Sequence, residues 1–164
     1  MTPVHVHLAL NHVPLIGVVL GLMLLAFGRL RRSEELALAA LITFVLVGAL
    51  AAATYFSGEA AEDVVEHLAG VSAERIEAHE ESALLSTLAA AGLGMLALAE
   101  LVLLRMRAVP HWIKSLTFGG AVGVAALMTW TAWLGAWIRH TELDGRVPAA
   151  APDERVAPQR GTAP

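Results

Sequence analysis

The chain has 164 residues, 57% of them hydrophobic and 16% charged, with a formal net charge of −4 and a mean hydropathy of +0.64. A soluble domain carries roughly a quarter charged residues, so these values exclude an ordinary soluble enzyme, a disordered chain and a nucleic-acid binder with a basic face. Cysteine is absent, which removes disulfides, thiolate zinc sites, iron–sulfur clusters, covalently attached haem and cysteine nucleophiles.

Four stretches are long and apolar enough to cross a hydrocarbon core of about 30 Å as helices. They run over about 8–27, 36–56, 83–104 and 113–138. The predicted fold is all-α: a four-helix transmembrane bundle over residues 1–140, followed by a disordered tail over 141–164 that is rich in proline, alanine and charge. The first span has no basic segment before it, and Arg29, Arg31 and Arg32 follow it, so it reads as a membrane helix rather than a cleavable leader. Arg105, Arg107 and Lys114 occupy the loop after span three, while the loop from Ser57 to Ser82 holds one base, Arg75, and eight acids. Basic loops stay inside, which predicts N-out, C-out with the acidic loop outside a bacterial inner membrane. Arg139, Arg146, Arg155 and Arg160 oppose this, but a tail translocated last is a weak determinant.

Gly17 with Gly21, and Gly119 with Gly123, are small pairs that let helix backbones approach. Pro14, at a helix entrance, costs little there because first-turn amides lack partners. The acidic loop starts at Ser57, a plausible N-cap followed by acids. Its Val64, Val65 and Leu68 predict a short amphipathic outer helix between spans two and three, with Glu59, Asp63 and Glu66 on the opposite face.

Candidate chemistry collects at the outer ends of the helices. His12, His79 and His140 come from three different spans at about 2–6 Å from the apolar boundary, a layer suited to axial ligands. His5 and His7 precede His12. His79, Ser82 and Ser86 form one stripe entering span three, and polar groups at that depth face the bundle interior or bond back to their own helix. Trp130, Trp133, Trp137 and His140 form a stripe on span four, either an interfacial belt or an aromatic wall beside a cofactor. Glu100 is expected to snorkel toward Arg105 or Lys114.

Three functions compete. One is a single b-type haem, bound non-covalently by histidines drawn from His12, His79 and His140, exchanging electrons with a periplasmic redox partner. The second is a divalent metal site built from His7, Glu59, Glu62, His67 and Glu80, since imidazole and carboxylate suit zinc, copper(II) or iron. Neither H-E-x-x-H nor an E-x-x-H pair is present, which argues against a zincin or a ferritin-like di-iron centre. The third is a non-catalytic accessory or assembly subunit meeting other membrane subunits. No nucleophile–base set, phosphate loop or nucleotide fingerprint is present, and no nucleic-acid partner is expected.

The entrance His7-Leu8-Ala9-Leu10-Asn11-His12-Val13-Pro14-Leu15-Ile16-Gly17, the run Ser57-Gly58-Glu59-Ala60-Ala61-Glu62 and Ala78-His79-Glu80 resemble those of a family of small bacterial four-helix integral membrane proteins, a domain of unknown function. The resemblance spans roughly residues 5–140. It implies the four-helix membrane fold and no catalytic residue.

Overall fold

The computed structural model describes residues 2–65, 71–106 and 109–139. They form five helices: α1 Pro3–Leu10, α2 Val13–Arg31, α3 Glu34–Val65, α4 Ala73–Arg105 and α5 His111–Arg139. Counting α1 and α2 together, four segments are long and apolar enough to span a membrane: Pro3–Arg31, Glu34–Val65, Ala73–Arg105 and His111–Ile138, with mean hydropathies of 2.2, 2.6, 2.0 and 1.5. The protein is a multi-pass membrane protein of the all-α, four-helix class. The tail after residue 140, and with it His140, His67 and Leu68, lies outside the described residues.

Each spanning helix packs on its chain neighbours, and α5 closes the ring against α2. Small residues set these approaches. Phe44 of α3 is fully buried and fits the notch that Gly21 leaves in α2, where an added Cβ would stand 2.5 Å from the Phe44 ring. Gly17 faces Val47 in the same way, so the first glycine pair is an α2–α3 packing seam. Between α3 and α4 the backbones themselves meet: a Cβ on Gly48 would lie 3.0 Å from the Ala90 carbonyl oxygen, and one on Gly94 3.2 Å from that of Phe44. The second expected pair behaves differently, because Gly119 and Gly123 have nothing within 4 Å.

The α2–α3 hairpin is tight. Arg32 adopts the left-handed conformation (φ 54°, ψ 36°) and its N–H returns to the carbonyls of Gly28 and Arg29. Ser33 N–H donates to Gly28 O at 2.9 Å, and Ser33 Oγ accepts from Leu36 N–H at 3.3 Å. One short turn therefore satisfies both helix ends. Nearby, Arg29 crosses to α5, where it donates to the Lys114 carbonyl and lies 4.4 Å over the Phe118 ring.

The other end departs from expectation twice. Residues 57–65 continue α3 without a break, so no separate amphipathic helix begins at Ser57. Instead of capping a new helix, Ser57 Oγ donates to Thr54 O at 2.7 Å, the back-bond of a serine inside a helix. The first span, in turn, is interrupted at Asn11–His12. Pro14 has no N–H for the Leu10 carbonyl four residues earlier. The Thr54 hydroxyl of α3, which donates to Leu50 O at 2.9 Å, also reaches that orphaned carbonyl at 3.4 Å. α1 is thus a short hinged element seated on α3, started by Thr2, which accepts from His5 N–H.

Candidate functional site

Two histidines turn inward at this end, one from α1 and one from α4. His7 Nδ1 lies 3.2 Å from Ser57 Oγ. The hydroxyl hydrogen of Ser57 is already directed at Thr54 O, so Ser57 Oγ accepts and His7 Nδ1–H donates. His79 Nδ1 lies 3.0 Å from the Thr131 carbonyl, which only accepts, so this ring too carries its proton on Nδ1. Both of these bonds run through Nδ1. With the proton on Nδ1, each ring keeps the lone pair on Nε2.

Glycines make room for both rings. A Cβ at Gly58 of α3 would stand 3.1 Å from His7 Cε1, and one at Gly135 of α5 2.9 Å from His79 Cε1. Each imidazole rests against a bare stretch of neighbouring helix backbone, which holds its plane.

Below His79 runs a hydroxyl cluster that ties α4 to α5. Ser82 and Ser86 are buried, and each Oγ lies 2.7 Å from Thr131 Oγ1. The proton count closes: both serines donate to the two lone pairs of Thr131, and Thr131 donates to Leu127 O at 3.1 Å. The expected His79–Ser82–Ser86 stripe does face the bundle interior, where α5 supplies its partners.

His12 does not share this site. It is exposed, and its Nδ1 pairs with the side chain of the adjacent Asn11. His5 pairs with Thr2, its Nδ1 2.6 Å from the hydroxyl. Glu59 and Glu62 lie on the part of α3 beyond Ser57, and Glu80 follows His79 on α4. Among the described residues no group of three or more His, Asp or Glu is placed to share a metal ion. Trp130 and Trp133 stack with ring centroids 4.8 Å apart, and Trp133 and Trp137 are 5.1 Å apart. Trp130 and Trp133 are exposed, so these two face outward from α5, while Trp137 is half-buried.

At the far end Glu100 corrects a further expectation. It is 5% exposed and bonds to Thr117 of α5, hydroxyl to Oε2 at 2.7 Å, rather than snorkelling toward Arg105 or Lys114. Thr117 lies 17 residues further along the chain, beyond the α4–α5 connection, and only the packing of α5 on α4 brings it beside the carboxylate.

No family model matches the chain, and no curated protein or solved structure matches it.

Proposed function

We propose that the protein sits in a bacterial inner membrane with its histidine end in the periplasm, and that His7 and His79 hold one b-type haem there for electron exchange with a partner. The observation that carries this reading is the matched pair of imidazoles. They come from different helices, each has Nδ1–H engaged by a protein oxygen, and each keeps Nε2 for a ligand. Iron-binding histidines are oriented in this way by a hydrogen bond from the other ring nitrogen. A bis-histidine haem needs two protein ligands and no more. A His/carboxylate metal site needs a third, and among the described residues no group of three or more His, Asp or Glu is placed to share an ion.

Accommodation of a macrocycle falls to α1. It has no buried residue and joins α2 through the Asn11–His12 break, so His7 can swing outward without opening the core. Once bound, haem supplies the one-electron chemistry; the protein supplies two oriented ligands and an apolar setting.

The orientation rests on charge. Arg29, Arg31 and Arg32 stand at the end of α2, and Arg105, Arg107 and Lys114 about the junction of α4 and α5, and an excess of bases of this kind favours the cytoplasmic side. A cysteine replacing Ser72 should react with an impermeant thiol reagent in intact cells, and one replacing Ser33 should resist it. The reverse pattern would overturn the orientation. Haem binding itself is tested by titrating haem into the detergent-purified protein. A saturable low-spin spectrum at one haem per chain is expected, and a spectrum identical to haem in empty micelles would overturn the reading.

A further inference from the structure

At the end of the bundle opposite the histidines, α5 closes against α2 and one cation bridges the seam. Arg29 stands in the last turn of α2, and Lys114 in the first turn of α5. Arg29 donates to the Lys114 backbone carbonyl, and its guanidinium lies 4.4 Å over the Phe118 ring. A carbonyl and a ring face of one helix thus fix where this charge sits. The Lys114 side chain leaves the backbone at the very residue whose carbonyl Arg29 grips. Two positive charges are therefore rooted beside each other across a helix seam, and both residues are exposed.

The protein does not offset them. Among the described residues neither side chain has an ion pair, and Arg29 has no hydrogen bond besides the one to Lys114. The acids at this end do not answer the pair. Glu100 is buried and bonds to Thr117, and Glu34 and Glu35 open α3 without an ion pair among the described residues. Most of the Arg29 donor fork is left unmatched.

Depth decides what can match it. The apolar stretches of α2 and α5 end at Phe27 and Ile113, so Arg29 and Lys114 stand within about 3 Å of the hydrocarbon boundary. The headgroup zone beyond that boundary is about 5–7 Å thick, and the phosphates of the bilayer lie in it, level with both cations. A guanidinium fork fits phosphate oxygens, and a lysine ammonium adds a point charge. Two cations with no anion complement a headgroup of net negative charge. The ammonium of a zwitterionic headgroup would be repelled by Lys114.

We propose that Arg29 and Lys114 form the headgroup site of one anionic phospholipid in the leaflet at this end. The phosphodiester accepts from the unmatched edge of the Arg29 fork and from Lys114 Nζ, and so ties α2 to α5 where the ring of helices closes. Basic sites between spanning helices recognise anionic headgroups in this way. The acyl chains keep the phosphate at this depth and need no pocket. Arg31 and Arg32 are exposed and have no side-chain partner among the described residues, so they attract anions without fixing one. The site depends neither on haem nor on which way the protein faces.

The test is native mass spectrometry of the full-length, detergent-solubilised protein with phosphatidylglycerol, phosphatidylethanolamine or chainless glycerophosphoglycerol added in turn. Lys114→Gln removes the ammonium and keeps the carbonyl that Arg29 grips. Arg29→Gln removes the guanidinium. Arg31→Gln removes the same charge one half-turn further along α2 and serves as the control. One phosphatidylglycerol per chain is expected to be retained. Its apparent affinity should fall at least fivefold in Lys114→Gln and in Arg29→Gln and less than twofold in Arg31→Gln, with helical content, read by circular dichroism, unchanged. Should Arg29→Gln lose helical content, Lys114→Gln against Arg31→Gln decides. An equal fall in all variants would reveal general attraction to a basic rim and overturn the site, as would no fall in any. Phosphatidylethanolamine retained as tightly as phosphatidylglycerol would overturn the anionic assignment, and equal binding of glycerophosphoglycerol would overturn a lipid as the source of the phosphate.

Discussion

Replacing Thr131 with Val isolates the hydroxyl cluster from everything around it. Val matches Thr in shape, so no cavity opens and no packing is lost. What disappears is the acceptor for Ser82 and Ser86, each 2.7 Å from Thr131 Oγ1. In a membrane interior such interhelical bonds average about 0.6 kcal/mol and reach about 1.7 kcal/mol. The reason is that the freed hydroxyls find other partners: Ser82 can turn to the Ala78 carbonyl and Ser86 to that of Ser82 on their own helix. Two bonds lost therefore cost about 1–2 kcal/mol, well below the penalty for two stranded hydroxyls. The assay is reversible unfolding in mixed micelles with increasing dodecyl sulfate, followed by circular dichroism. A double-mutant cycle against the paired Ser82→Ala, Ser86→Ala variant should return a coupling of about 1 kcal/mol. Zero coupling would refute the assignment of these hydroxyls to one another across the seam. The His79 bond goes to the Thr131 backbone carbonyl, so Thr131→Val should leave the histidine site unaltered.

The close backbone seam gives a paired expectation. Gly48→Ala sets a Cβ 3.0 Å from a backbone oxygen that cannot turn aside, whereas Gly92→Ala meets nothing within 4 Å. The first should destabilise by about 1–3 kcal/mol and the second should be neutral or slightly stabilising; equal shifts in melting temperature would contradict the packing. At the α2–α3 turn, Arg32→Gly relieves the left-handed strain at φ 54° and should raise stability by about 0.5–1 kcal/mol. Arg32→Ala keeps the Cβ and should bring no gain, and a gain of equal size in both would point to charge instead. Gly135→Ala places a Cβ 2.9 Å from His79 Cε1, so it should displace the ring from Thr131 and weaken haem binding at least fivefold with helical content unchanged; unaltered titration would show that the ring plane is not held there.

The spans were legible because length and hydropathy suffice to mark a membrane helix. Their rotation was not. A helix apolar all round carries no polar face to say which side is buried, and α2 and the spanning part of α3 are of this kind. On one unbroken helix His7 and His12, five residues apart, would stand about 140° apart, but the span breaks at Asn11–His12, so spacing did not say which of them turns inward. Depth favoured His12; the structure turns His7 inward through its contacts with Ser57 and Gly58. The stripe His79–Ser82–Ser86 was visible from its spacing, because three polar residues on one face of an apolar span stand out. Its partner Thr131 did not, since a threonine among tryptophans, with Thr129 beside it, resembles part of an aromatic belt. Its four-residue spacing to Gly135 was the available signal: one position offers oxygen acceptors and the next offers room for a ring. Glu100 was misjudged because arginine and lysine lie nearby in sequence, while Thr117 is set beside it only by helix packing. The run after Ser57 looked like a helix start from its serine and acids, yet nothing there breaks α3, and the same serine serves as an interior back-bond.

The claim that His7 and His79 are a pair of haem ligands is tested most directly by the reduced-minus-oxidised absorption spectrum of the purified full-length protein and three variants. The wild type and His12→Ala should show the same low-spin Soret and α-band changes, because the His12 ring is exposed and turned to Asn11. His7→Ala and His79→Ala should each abolish those bands or convert them to a high-spin form. A wild-type protein reconstituted with haem that shows no low-spin bands, or a loss of bands in His12→Ala with His7→Ala unchanged, would contradict the account.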